Sequence, residues 1–356
     1  MIHLDSHVVA KPRSSVLKAL EDKWGLLDAP HRKGIELYPE VDEALKLISK
    51  CLDAESYQFH VTPGGFHAMQ HLLMHFYLEE VRQTGRNHFV SSVIEEAPIL
   101  KALDRMEMMG CGVKLLPVDS NGRIDLRALE ESIRSKTSLI SISAVCAMTG
   151  VMQPIQEIVR ICHAKAVKVH VNASHAIGTW GVSLKEWNVD YLTFDGDKIG
   201  TPQGMGGLFS KESIKDSLFG VIPLARALKE ITEKQEAFAM ESARLRAEFE
   251  QEIVRVVPDC QILGQEVERV PHIFALLFPK LMNEALLYDL YRQKIEASIG
   301  GGQFQTLTTI LQKCGRNEEG AISFALHDAI QEDDLASVLD VLTSSVRKLK
   351  KMSAAL

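Results

Sequence analysis

From about residue 40 to 210, short apolar runs alternate with amphipathic stretches, the pattern of an α/β unit built on a largely parallel sheet. Strands are predicted at 88 to 94, 112 to 118, 138 to 145, 167 to 172 and 190 to 195, each rich in β-branched residues or bounded by turn residues. Helical periodicity fills the intervals at 42 to 52, 66 to 84, 97 to 109, 126 to 135 and 154 to 165. Asn121-Gly122 marks a tight turn, because both residues tolerate positive φ. The stretch 224 to 255 reads as one long charged helix leading into a second unit, and the pattern changes after Pro258. A strand at 272 to 278, a helix at 281 to 293 and a last helix at 332 to 351 follow. In the last of these Leu335, Val338, Leu339, Leu342, Val346 and Leu349 form a stripe suited to burial. The chain carries no internal repeat and no low-complexity segment.

Composition narrows the class without changing this picture. The 356 residues are 46% apolar and 24% charged, ordinary values for a folded protein, and the length allows a large domain and a smaller one. A formal net charge of -7 disfavours broad binding to nucleic acid or to an anionic membrane. The basic cluster Arg347, Lys348, Lys350 and Lys351 is read as favouring the negative end of the final helix. Six cysteines are scattered without paired spacing, which predicts neither a zinc site nor a disulfide framework and points to a reducing, cytoplasmic setting. The first residues lack a basic segment followed by a long apolar one, and no stretch approaches membrane-spanning length.

Candidate chemistry centres on Lys198, which closes the strand VDYLTFDGDK (189 to 198) and meets the glycine-rich turn GTPQGMGG (200 to 207). Other strings accompany it in order: Leu4-Asp5 through Pro12, Ala29-Pro30-His31, VTPGGFHA (61 to 68), LPVDSNGRIDLRALEESI (116 to 133), TGVMQPIQEI (149 to 158) and HVNASHAIG (170 to 178). Together they resemble the cysteine desulfurase and class V aminotransferase group over nearly the whole chain. The resemblance implies an α/β pyridoxal-phosphate fold type I. It divides the chain into an N-terminal segment at 1 to 30 packing with the small domain, a large domain at 31 to 255, and a small α+β domain at 256 to 356. It also implies a homodimer, pyridoxal phosphate as cofactor, and Lys198 as the Schiff-base lysine.

Around that lysine the residues depart from the implied set. Gly64 and Gly65 keep the turn whose amides would cradle a phosphate. The threonine that follows in the family is matched by Phe66, the serine before the lysine by Asp195, and the adjacent histidine by Asp197. At about 4 Å and an effective dielectric of about 20, each such carboxylate would repel a phosphate charge by roughly 4 kcal/mol. The aspartate that faces the pyridine nitrogen is matched by Asn172, the glutamine near the ring hydroxyl by His175, the stacking histidine by Glu96, and the ring-side asparagine by Cys146 or Ala147. A phosphate-binding loop lent by the neighbouring subunit is largely missing, with Val221 where a threonine hydroxyl would be. The segment ASIGGGQFQ (297 to 305) holds no cysteine to accept sulfur, Cys314 falls beyond a helix, and Ser323 stands where an arginine would grip a substrate carboxylate.

Two further constellations have an ordinary and a sharper reading. His67, His71 and His75 share one helix face at zinc-compatible spacing and could meet Glu95, Glu96, Asp195 and Asp197; helical histidines bonded to backbone or solvent are the ordinary reading, and no metal is assigned. Gly300-Gly301-Gly302 could bind an anion through backbone amides, or form a plain mobile loop. The functional expectation is a cysteine-desulfurase-like protein without desulfurase activity, acting as a binding or regulatory homodimer, with a protein partner as one option. Lys198 would then pair with neighbouring carboxylates. The alternative is a divergent pyridoxal-phosphate-dependent transferase or lyase that uses Lys198 on an amino-acid-like substrate.

Overall fold

The computed structural model of the chain describes residues 1 to 8, 10 to 27, 34 to 212 and 220 to 353; Ala29-Pro30-His31 lie outside the described residues. Among the described residues twelve strands form three sheets. A seven-stranded sheet takes β2 (Gln58–Thr62), β3 (His88–Ser92), β4 (Gly112–Leu116), β5 (Thr137–Ser143), β6 (Lys168–Asn172), β7 (Tyr191–Asp195) and β8 (Gly206–Ser210), in the order β2-β8-β7-β6-β5-β3-β4. All pairings are parallel except those of β8, which runs antiparallel to both neighbours. Strand β5 is buried at every position, the expected state of a central parallel strand covered by helices on both faces. Gly207 in β8 is required by close approach, since a Cβ there would lie 2.3 Å from the Phe59 ring.

Helices cover the sheet through apolar stripes. In Ile155–His163 the buried residues are Ile155, Ile158, Val159 and Cys162, the spacing of one helical face, and each large one contributes about 1.5–3 kcal/mol by leaving water. The helix predicted at 66 to 84 is interrupted: Gly65–Phe76 passes through a π-helical turn, Tyr77–Val81, before Arg82–Thr84. None of residues 77 to 81 is fully buried, so packing places no demand on regular spacing there. A helix at Ser14–Leu27, not read from the sequence, precedes the large sheet.

A three-stranded antiparallel sheet, β9 (Gln261–Ile262), β10 (Ile273–Leu277) and β12 (Ala321–Ala325), lies in the order β12-β10-β9. With the helices Asn283–Arg292 and Glu332–Ser353 it encloses a second core containing Phe274, Phe324, Leu286 and Val338. Two basic residues of the last helix pair with acids outside it, Lys348 with Asp289 at 2.7 Å and Lys350 with Asp259, while Arg347 donates to the Val256 carbonyl. The N-terminus joins this unit: β1 (Ile2–His3) runs parallel to β11 (Ile295–Glu296), and Ala325 N–H donates to the Leu4 carbonyl at 2.8 Å.

One helix of 36 residues, Val221–Val256, serves both cores. Val221, Leu224 and Leu228 belong to the large core, and Leu245, Phe249 and Ile253 to the small one. The buried Glu250 carboxylate accepts two bonds from Arg269, at 2.6 and 3.0 Å, which fastens this helix beside the seam between the sheets. Among the described residues no helix is long and apolar enough to cross a membrane.

Candidate functional site

The C-terminal ends of β6 and β7 deliver most of the residues singled out in the sequence. β6 ends at Asn172, and a tight turn then carries Ser174 and His175; β7 ends at Asp195, and the 3-10 turn Gly196–Ile199 carries Asp197 and Lys198. Such strand ends are where open α/β sheets place ligands. Across from them Gly64, at φ 133, caps the helix Gly65–Phe76, a backbone conformation that favours glycine. Asp195 reaches this helix start: its Oδ1 accepts the Gly65 N–H at 2.6 Å.

That bond defines the anion cradle. The first turn of a helix leaves amides unpaired and carries positive potential, so it attracts a carboxylate or a phosphate alike. Here the carboxylate comes from the chain itself. A Cβ on Gly64 or Gly65 would lie 3.0 or 3.1 Å from the Asp195 oxygens, so the acid fills the space against the turn. Burial, reinforced by the charge of Glu96, raises the Asp195 pKa, while the Gly65 amide acts in the opposite direction.

Lys198 does not pair with Asp195. Its Nζ donates to the Val8 carbonyl, lies 3.3 Å from Asp197 Oδ2 and sits 5.7 Å from the centre of the Phe304 ring. The side chain is only 4% exposed. Phe304, unmarked in the sequence reading, is also 5.8 Å from the His175 ring and 6.2 Å from His7. It is presented by the 297 to 305 segment, which is bonded to the large unit and within itself. Gln305 Nε2 donates to the carbonyls of Val93 and Glu95 at 2.9 and 2.7 Å, and Gly301 and Phe304 exchange backbone bonds. The segment is thus a hydrogen-bonded turn that carries an aromatic ring, because its glutamine donates to carbonyls just beyond β3.

The residues matched to ring contacts touch one another. Glu96, at the N-cap of the helix Ala97–Met108, has Oε1 3.5 Å from Asn172 Nδ2 and 3.6 Å from His175 Nε2. The amide orientation of Asn172 is forced: Ser174 N–H can only donate, and it meets Asn172 Oδ1 at 3.1 Å. Ser174 Oγ donates to the same oxygen at 2.7 Å and accepts from Asp195 N–H at 2.9 Å, linking the two strand ends. Beside Glu96 the void among Glu95, Ser143 and Cys146 has a volume of about 10 Å³, room for one water at most. Glu95 accepts from Ser143 N–H at 3.0 Å and Ser143 Oγ at 2.5 Å, and burial raises its pKa to about 7.

The remaining predicted residues lie apart from this constellation. His67 is exposed, and His75 Nε2 faces Glu212 at 3.6 Å; among the described residues no cluster of three or more histidines, cysteines or acids could hold a metal ion. Val221 is buried in its own chain's core. Ser323 is fully buried, and its Oγ has no hydrogen-bond partner. Burial raises the pKa of all six thiols, Cys314 to about 12, the reverse of what a nucleophilic thiolate requires.

Comparison with known proteins decides the family, since the protein-family model described as Aminotransferase class-V matches residues 2–247. The chain belongs to this family. Among class-V relatives, a cysteine desulfurase of Nostoc sp. is 26% identical over 383 positions, covering 99% of this chain and 94% of its own length. Cysteine desulfurase IscS of Dictyoglomus turgidum is 24% identical over 380 positions, covering 99% and 96%. A solved NifS-like protein superposes with a TM-score of 0.87 at 23% identity, covering 98% of this chain and 100% of that one. A NifS-like protein from Rickettsia africae gives 0.83 at 20% identity, covering 97% and 99%. The fold is that of these class-V, fold type I proteins.

Pyridoxal phosphate is the cofactor that class-V membership implies, and the residues here do not fit it. The helix amide that would face the phosphate already donates to Asp195. Glu96, at the position matched to the stacking histidine, offers a carboxylate with no aromatic face and lies 3.5 Å from Asn172 instead. Asn172 spends its only acceptor on Ser174, leaving an amide donor where a protonated ring nitrogen would need an acceptor.

Proposed function

We propose that this class-V chain is a cysteine-desulfurase-like scaffold without desulfurase activity, acting as a binding or regulatory homodimer. The single observation that carries the reading is the 2.6 Å bond from Gly65 N–H to Asp195 Oδ1, an internal carboxylate in the place of a cofactor phosphate. Two others support it: every thiol has its pKa raised by burial, and Ser323 offers no guanidinium to a substrate carboxylate. We further propose a cytoplasmic setting, which the six free cysteines support.

The test is to purify the protein with added pyridoxal phosphate and record its absorbance beside that of Lys198→Ala. The expected result is no cofactor band in either sample, with light scattering giving twice the monomer mass. A stable band that vanishes in Lys198→Ala would sink the reading and select the second one, a divergent pyridoxal-phosphate-dependent enzyme acting on an amino-acid-like substrate. One observation favours that alternative: Lys198 sits just beyond the end of β7, where class-V resemblance places the Schiff-base lysine.

A further inference from the structure

One helix of the second unit carries two stripes. In Asn283–Arg292, Leu286 and Leu290 belong to the small core, whereas Glu284, Leu287, Tyr288 and Tyr291 border a groove of about 500 Å³. The spacing of the second set, i, i+3, i+4 and i+7, is that of a single helix face. Tyr288 and Tyr291 are 64% and 60% exposed, and Leu287 beside them is half-buried. Two large rings on adjacent turns thus form a patch of the kind that marks an interaction surface.

The opposite wall comes from the N-terminal segment and β11, which bring Val8, Asp5 and Glu296 to the groove. Among the described residues His3 is the one basic side chain of the lining, and its Nδ1 meets Glu296 Oε2 at 2.6 Å. Three carboxylates therefore share the groove with one imidazole. Asp5 and Glu296 keep side-chain exposures of 24% and 34%, and Glu284 is exposed, so all three can meet an occupant. His7, 3.5 Å from Asp5, adds no compensating charge, because burial lowers its pKa well below the usual value. Lys198 already faces Asp197.

Aromatic faces beside carboxylates select a cation. A guanidinium suits both, since its plane stacks on tyrosine rings and its fork donates to carboxylates in pairs, whereas an ammonium acts as a point charge. A small free cation would leave Leu287, Val8 and Ile295 uncovered along the groove. An arginine on a chain whose neighbouring side chains are apolar covers them.

We propose that this groove docks an arginine-bearing segment of a protein partner, its guanidinium stacked on Tyr288 or Tyr291 and its charge met by Asp5, Glu284 and Glu296. The proposal rests on the binding role inferred above and names the partner's chemistry for it. Val8, whose carbonyl accepts from Lys198, borders the groove, so a docked segment lies beside the candidate site.

The experiment is fluorescence anisotropy of a labelled peptide of alternating arginine and leucine, titrated with the full chain, beside a counterpart with glutamate in place of arginine. Saturable binding of the arginine peptide alone is expected. Tyr288→Ser and Tyr291→Ser should each weaken it about tenfold, the scale of an aromatic anchor. Both spare Leu286 and Leu290, which hold the helix to its core. Neither changes the charge, so the loss separates the groove from general attraction to a chain of net charge -7. Absence of arginine-peptide binding overturns the proposal, as does equal binding of the glutamate peptide, or an affinity unaltered in both tyrosine variants. Light scattering of the chain alone adds one more outcome: a mass that falls in Tyr288→Ser means that a second copy fills the groove, which also overturns it. The same samples are scanned for absorbance after pyridoxal phosphate is added. Failure to bind without a cofactor band refutes the groove alone, whereas a Lys198-dependent band refutes the binding role whatever the peptides do.

Discussion

The Asp195 carboxylate and the Gly65 amide, 130 positions apart in the chain, meet at 2.6 Å and close the start of a helix against the end of a strand. The helix is thereby capped from outside its own sequence, with a charge of the sign its N-terminus favours. Asp195→Ser should cost about 0.5–2 kcal/mol in urea unfolding through the shortened cap. It should also expose the amides, so that inorganic phosphate raises Tm more in the variant than in the parent. Equal responses would mean that this acid does not block the cradle.

Lys198 and Asp197 form an ion pair with side chains 4% and 13% exposed. Truncating one member of such a buried pair strands the other, at a cost of about 3–5 kcal/mol. Lys198→Met and Asp197→Asn should therefore each destabilise strongly, and the double variant should lose less than the sum. A double-mutant cycle by urea denaturation measures the coupling. Additive losses would show that the lysine is held by Val8 and Phe304 instead.

Glu95 binds its proton more tightly in the folded chain, with a pKa of about 7 against an ordinary 4.5. Between those values the folded state holds the proton that the unfolded state has released, so stability falls as pH rises through this window. Glu95→Gln keeps an acceptor for Ser143 and removes the titration. Relative to that variant, the parent should lose up to about 3 kcal/mol between pH 4.5 and pH 8, read as a difference in unfolding free energy. A flat difference would place the Glu95 pKa near its ordinary value.

Phe304→Ala should cost about 3–5 kcal/mol, the range for losing a buried aromatic ring, and should open the 297 to 305 segment to limited proteolysis. Protection equal to the parent's would mean that Gln305 alone secures the turn.

Much of the large sheet was legible in the sequence because its strands are short runs holding β-branched residues between turn signals, as in β5, which is buried on both faces although four of its seven residues carry hydroxyls. Lys198, Asp195 and Asp197 were legible for a different reason: a strand end followed by a glycine turn is a local pattern. Partnership was not. Two acids within three residues looked equivalent, yet Asp195 turns to a helix amide and Asp197 to the lysine. Phe304, His7 and His272 belong to no periodic pattern, and only the closure of segments far apart in the chain makes them neighbours. Likewise the interruption at Tyr77–Val81 escaped notice because hydrophobic spacing on either side still fits one helix.

The helix Val221–Val256 is about 54 Å long at 1.5 Å per residue, and its two ends are embedded in different cores. Between Ile231 and Leu245 no buried apolar residue of the helix belongs to either core. Over that span the two cores are joined by little more than the helix's own ladder of backbone hydrogen bonds, so its continuity is what holds them in register.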